Sequence, residues 1–404
     1  MNYTAINDRD VFIVECVRTP IGRGYSSGML HDIQPVDLLA MTLNELMIRC
    51  PKVDRSLVED VICGVVSPVK EQGANIPRFA LLKAGFPQTV PGVQLNRMCG
   101  SGQQAIHFAS QAIASGSIDV AIGCGVEMMS VVAMGSDWQL DNPNFNKGFN
   151  FKILHQGVSS EMIAERYKLT RDELDRFSGR SHELADKAQK NGYFKSQIFP
   201  IKLEKTGKTV TQDEGIRVPV DYTKMAKLKT PFKENGLITA ANASQISDGA
   251  SAVLLLSGRK VKELGLKPRA RIVTCVSVGS DPEYMLLGPI PATEKALQKS
   301  GLPLEAISVF EINEAFASVV LAWQKQLKID MSRVNPNGGA IAHGHPLGAT
   351  GAILMTKLVN ELERSNKRYG LQTMCIGFGQ ATATIIENCS YTDSQPIPLL
   401  KSNL

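Results

Sequence analysis

Apolar residues in this chain gather into short unbroken runs, and these alternate with stretches where they recur every three or four positions. "VFIVECVRTP" (11–20) reads as a buried strand stopped by proline, and "VEDVICGVV" (58–66) as another strand. Between them, "VDLLAMTLNELMIRC" (36–50) has helical spacing. "GSGQQAIHFASQAIASG" (100–116) reads as a helix opened by glycines and closed by Gly116, and "DVAIGCGVEMMS" (119–130) as a strand running into a loop. Strands alternating with helices indicate a mostly parallel, layered α/β domain.

From about 131 to 243 the pattern changes. Polar, irregular segments such as "DWQLDNPNFNKGFNF" flank an amphipathic helix over 170–194. This reads as an insertion of loops and helices, a common place for ligand contacts. Strand-like runs resume at "SAVLLLS" (251–257) and "ARIVTCVSVGS" (270–280). A strand leading to a helix follows over 307–327, and a Gly-rich loop leading to a helix over 338–363. Two strand-like runs around a glycine turn close the pattern over 371–388. Each half thus carries a Gly-flanked reactive residue ahead of a helix, Cys99 in the first and His345 in the second. The expected organisation is a duplicated α/β unit. Its first half spans 1–130, completed by 244–269, an inserted loop domain spans 131–243, and the second half spans 270–404. The halves match in topology and hardly in sequence.

Composition narrows the classes. With 404 residues, 43% apolar and 21% charged, the chain is long enough for about two to four domains and needs no disulfide support. A net charge of +5 without a dense Lys/Arg cluster argues against nucleic-acid binding, while a mildly basic surface suits a phosphate-bearing ligand. The eight cysteines are dispersed, with no C-x-x-C pair and no zinc spacing, as expected in a reducing, cytoplasmic setting. "MNYTAINDRD" has no signal-peptide core, no apolar stretch reaches about 18 residues, and the terminal "SNL" resembles a peroxisomal address only faintly.

Four blocks carry candidate chemistry. In "NRMCGSG", Cys99 sits at a helix start, where exposed N–H groups favour a thiolate and can form an oxyanion hole; the alternative is a buried cysteine in a tight turn. In "AIAHGHPLGATGA", His343 and His345 lie two apart and share a face on a strand-like segment, yet no Asp, Glu or Cys nearby in sequence completes a metal set. His345, near the next helix start, is a candidate base for Cys99, while a loop histidine satisfied by backbone competes as the reading for His343. In "MCIGFGQA", Cys375 ends a strand and is either a proton carrier or core. In "EINEAFA", Asn313 either caps the following helix or fixes a water or polarises a carbonyl in the site.

Together, and in this order, the four blocks resemble the thiolase family, and "TAANASQISDGASAVLLL" resembles a further signature of that family; the likeness runs from about 11 to 387. The resemblance implies the layered α-β-α-β-α fold and cleavage of 3-ketoacyl-CoA by CoA through a cysteine thioester, reversible as a Claisen condensation. It implies Cys99 as nucleophile, His345 as its base and Cys375 as the acid or base at the acetyl-CoA carbanion. One oxyanion hole would use His345 with a water held by Asn313, the other the N–H groups of Cys99 and Gly377. CoA and acyl-CoA would be substrates rather than resident cofactors, with His155, Arg217 and Ser244 as CoA contacts and no metal. A homodimer or homotetramer is implied by analogy. "HQGVSSEMIAERY" and "GQATATIIE" look closer to the degradative enzymes of fatty-acid β-oxidation than to acetoacetyl-CoA-forming acetyltransferases. A ketoacyl-synthase-like decarboxylating enzyme is the alternative reaction on this fold, and Cys375 argues against it; a CoA-ester binder without catalysis is the other reading. Two departures stand out: Phe378 and Ala381 replace glycines of the last block, and His343 replaces an aliphatic residue.

Overall fold

The structure is a computed structural model that describes residues 6–138, 145 and 147–392. The terminal Ser402-Asn403-Leu404 lies outside the described residues. The apolar runs form strands because both of their faces are covered. Along Val11–Arg18, Phe12 and Val14 join one core cluster while Val11 and Ile13 join another, the period-two alternation of a strand buried on both sides.

Among the described residues ten strands make one mixed sheet. Its order is Ile307–Ile312, Tyr369–Ile376, Gln380–Asn388, Ala270–Gly279, Val11–Arg18, Ser247–Ser257, Val120–Met128, Asp60–Gly64 and Gly92–Leu95, with Gly22–Arg23 paired alongside Ser247–Ser257. The two halves repeat one plan. With Gly22–Arg23 and the edge strand Gly92–Leu95 set aside, each half places from the centre outward its first, fourth, third and second strand, and of these only the third and second pair in parallel. Gly92–Leu95 adds one more parallel pair beside Asp60–Gly64, and the other pairings are antiparallel, which corrects the mostly parallel sheet that the alternation of elements suggested. The halves join where Phe12 and Ile13 pair with Arg271 and Ala270.

The helix between the second and third strands of each half lies in the middle of the molecule. Ser101–Ser115 and Leu347–Arg364 pack together through Ala105, Ile106, Ala109, Ala352, Met355 and Val359. Every residue from Leu347 to Leu362 is buried, as expected of a helix enclosed on all sides. Pro35–Arg49 and Ile76–Lys83 cover the outer face of the first half. Pro289–Ser300 and Ala317–Leu327 cover that of the second, giving the expected α-β-α-β-α layering. The insertion belongs in sequence to the first half but docks on the second: Ile163, Leu174 and Phe177 of helices Gln156–Arg166 and Arg171–Lys190 join that half's core. Thr170 and Glu173 form a capping box that sets where the longer helix begins. Among the described residues no helix is long and apolar enough to cross a membrane.

A buried ion pair ties the strand that leads to Asn313 to the helix that follows His345. Lys357 Nζ lies 3.0 Å from Glu311 Oε2 and also donates to the Gly338 carbonyl. Burial raises the Glu311 carboxyl to about 7 even with Lys357 pulling it down. Lys357→Met should lower stability by roughly 3–5 kcal/mol, because it strands Glu311. The double variant Glu311→Leu/Lys357→Met should recover most of that loss. Urea unfolding midpoints test this, and equal losses in the single and double variants would contradict it.

Candidate active site

The two central helices meet at their N-terminal ends. A Cβ on Gly102 would stand 2.6 Å from the Gly348 carbonyl oxygen, and one on Gly351 would stand 2.1 Å from the Gln103 nitrogen. Gly102 therefore makes room for the partner helix, while Gly100 makes room for the Ile376 side chain. Glu127 clamps the junction from below: its carboxylate accepts from the N–H groups of Val66, Ser67 and Gly348 and from the Gln72 amide. Cys99 and His345 precede these two helices, so joining the helix ends brings both residues to one place.

Cys99 is 3% exposed and follows Met98, which is held at φ 45°. A non-glycine residue in that region costs about 1–3 kcal/mol and marks an enforced geometry. The Gly377 N–H and the Gln156 side chain point at the Cys99 sulfur and pull its pKa down, but burial outweighs them and pushes it up to about 11. A helix start favours the thiolate, but here burial prevails and the resting group is a thiol. Cys375, wholly buried at the end of Tyr369–Ile376, is pushed up further, by burial first and next by the nearby Cys99. The Asn313 side chain and the Ala315 N–H bond to its sulfur.

Asn313 does not cap the next helix, which begins at Ala317 with Phe316 as its N-cap. Its amide nitrogen instead lies 3.3 Å from His345 Nε2, and its Oδ1 is buried without a protein partner. His345 Nδ1 sits 2.6 Å from Thr350 Oγ1, and that hydroxyl donates its own proton to the Pro346 carbonyl at 2.9 Å. Thr350 must therefore accept from Nδ1–H. This leaves the Nε2 lone pair directed at Asn313, whose side chain also reaches the Cys375 sulfur. Burial lowers the imidazole to about 4. A neutral imidazole beside neutral thiols is a proton acceptor at physiological pH.

His343 does not share a face with His345. It ends the short turn Ala340–His343, and Gly344 at φ 114° redirects the chain. Its Nδ1 lies 2.8 Å from Asp213 Oδ2 and its Nε2 lies 2.9 Å from the Asn337 carbonyl. Arg18 grips the same Asp213 through both guanidinium nitrogens and holds that carboxyl well below its ordinary range, despite burial. His343 thus fastens the insertion to the loop that carries His345. Among the described residues no group of three or more metal-binding side chains occurs.

A cavity of about 450 Å³ opens above these groups, lined by His345, His155, Gln156, Ser244, Phe316 and Phe378 among others. His155 stands at its exposed rim, stacked on Phe232, and caps the helix it precedes through Nδ1. Ser244 is tied to the Asn313 loop, its N–H donating to the Ala315 carbonyl. Arg217 lies apart, on an adjoining groove with His182, and meets the main cavity only through its bond to Gln245. Sequence reasoning singled out none of Thr350, Glu127, Gln156 or Glu314. Glu314, which accepts from Ser181, Asn335 and the Ile341 N–H, anchors the Asn313 loop.

Residues 11–259 match the thiolase N-terminal domain and residues 266–388 the thiolase C-terminal domain. The chain belongs to the thiolase family. It is an acyltransferase that exchanges acyl groups between CoA thioesters by thiolysis and its reverse, condensation. It is 48% identical to a steroid 3-ketoacyl-CoA thiolase of Mycobacterium tuberculosis, over 94% of each chain. It is 40% identical to a 3-oxoadipyl-CoA/3-oxo-5,6-dehydrosuberyl-CoA thiolase of Escherichia coli, over 94% of this chain and 99% of the other. The crystal structure of Bacillus anthracis acetyl-CoA acetyltransferase superposes with a TM-score of 0.86 at 38% identity, covering 94% and 98% of the two chains.

Two outcomes follow for this thiolase. Thr350→Val removes the acceptor that fixes the His345 tautomer and should cut kcat/KM about 10- to 100-fold, by analogy with other imidazole-orienting partners. Thr350→Ser should keep most of the activity. Because the folded pKa of His345 is about 4, below its ordinary 6.5, the imidazole stays neutral until pH falls through about 4. The same depression weakens the fold between about 6.5 and 4, where the unfolded chain binds the extra proton. Rapid pH-jump rates should therefore be level through neutral pH and fall only below about 5. An inflection near 6.5 in kcat/KM would contradict a depressed imidazole.

Proposed function

We propose that this thiolase acts in the degradative direction on 3-ketoacyl-CoA, with Cys99, His345, Cys375, Asn313 and Gly377 as its working groups. Cys99 Sγ attacks the C3 carbonyl as its proton passes to His345 Nε2. The C2–C3 bond then breaks, its electron pair stays on C2, and Cys375 S–H protonates that carbon to release acetyl-CoA. The incoming CoA thiol loses its proton to the Cys375 thiolate, attacks the Cys99 thioester and leaves as the shortened acyl-CoA. His345 returns its proton to the departing Cys99 sulfur. The observation that carries this reading is the linked set of groups: Cys375 lies near Cys99, Asn313 bonds both Cys375 and His345, and Thr350 turns the His345 lone pair toward Asn313.

His345 Nε2–H, once formed, and the buried Asn313 amide with a water would stabilise the oxyanion of one step. The Gly377 N–H, already directed at the Cys99 sulfur, would serve the other. His155 and Ser244 would contact CoA along the cavity, with Arg217 reaching a phosphate from the adjoining groove. No resident cofactor enters the chemistry. A homodimer or homotetramer in the cytoplasm is the expected form. The end strand Gly92–Leu95, with Val93 exposed beside Phe79 and Leu82, supports self-association, since an open apolar edge needs cover.

Incubation with acetyl-CoA should add one acetyl group, located by mass spectrometry on Cys99. Cys99→Ala should abolish labelling and lower thiolysis by about 10^4-fold, as loss of an activated nucleophile does elsewhere. Cys375→Ala should still be labelled yet fail to exchange the acetyl-CoA methyl protons with D2O. Acetylation on another residue would overturn the assignment.

A further inference from the structure

Beside the catalytic cavity lies a second chamber of about 400 Å³, and its wall is mostly aromatic: Trp138, Phe145, Phe149, Phe151 and Phe378, with Met98 at the floor. Trp138, Ile153 and Phe378 border both spaces, so the chamber continues the cavity that holds His345. Met98 adjoins Cys99 in the chain, which puts the chamber on the nucleophile's side.

Phe378 is the unusual member. It sits at φ 63° between Gly377 and Gly379, a conformation that favours glycine. Its N–H points at Met285 Sδ, 3.3 Å away, and its ring meets Trp138 edge-on at 6.1 Å and 64°. Keeping a phenylalanine there carries a backbone strain that a glycine would avoid. A surface turn gains nothing from that strain; a ring placed over the reaction site does. Among the described residues neither space is lined by a lysine or an arginine, and the chamber's sole charged side chain is Asp137. Such walls repel a carboxylate. Broad aromatic faces also favour a rigid ring system over a flexible chain, which loses rotational freedom at each bond on binding.

We propose that Phe378, held against Trp138, determines acyl specificity by directing the acyl group into this chamber, and that the favoured substrates carry an uncharged, ring-bearing hydrocarbon. This rests on the thiolase reading of Cys99 given above. The test measures thiolysis of four substrates: acetoacetyl-CoA, 3-oxoadipyl-CoA, a straight-chain 3-ketoacyl-CoA and a cyclohexyl-terminated one of equal carbon number. The cyclohexyl substrate should exceed 3-oxoadipyl-CoA in kcat/KM by about 10-fold or more. Phe378→Gly, which suits the backbone, should lower the ratio of cyclohexyl to straight-chain kcat/KM by about 10-fold, chiefly through KM. Trp138→Ala should move it the same way. A ratio that stays within about twofold in both variants, or a wild-type preference for 3-oxoadipyl-CoA, would overturn the proposal while intact acetoacetyl-CoA cleavage leaves the catalytic assignment standing. Failure of the wild type on all four substrates would overturn both.

Discussion

Two helices touch at their starts without side chains between them, and the site exists because of that contact. Gly102 against Gly348, and Gly351 against Gln103, allow an approach that a single methyl group would block. Glu127 secures it with four hydrogen bonds drawn from both sides of the junction. Duplication explains why the contact is possible. Each half delivers a helix to the middle layer from the same point in its strand order, so related ends meet across the approximate symmetry between the halves. One end brings a thiol and the other an imidazole.

Burial then sets the chemistry. In a water-excluded site the charged forms of sulfur and imidazole are both penalised, so Cys99 and Cys375 rise while His345 falls. The resting state is electrically neutral. Polar groups are already aimed at these atoms, the Gly377 N–H at the Cys99 sulfur and the Asn313 amide at His345 and Cys375. Helix N-termini do contribute, but their pull is worth less than desolvation at a residue only 3% exposed. Further out, Lys357–Glu311 and Arg18–Asp213–His343 tie the loops that carry Asn313 and His345 to the core. These buried networks hold the site's geometry, since a partly satisfied one would be costly.

Several of the groups that set this geometry carry no local mark. Thr350 looks like any helical threonine; its place one turn after Pro346 matters only because His345 folds back over it. Glu127 closes a strand, and Glu314 sits in a block where Asn313 draws the eye. Each acts on residues more than twenty positions away, or on a loop whose path the chain alone does not reveal. Phe378 is the converse case. It was visible as a departure from a glycine pattern, but its meaning needed the positive φ and the Trp138 contact.

The order of strands and helices, the duplicated plan and the blocks that the fold gathers around Asn313 and His345 were legible in the chain, because double-sided burial forces continuous apolar runs and glycine marks close approach. Spacing alone misplaced His343 beside His345, since one glycine at φ 114° turns the two apart. A helix start favours a thiolate, whereas burial of Cys99 favours the thiol. Solvent exclusion, tautomer and the side of the molecule on which the insertion docks are properties of packing between distant segments, and only the folded chain decides them.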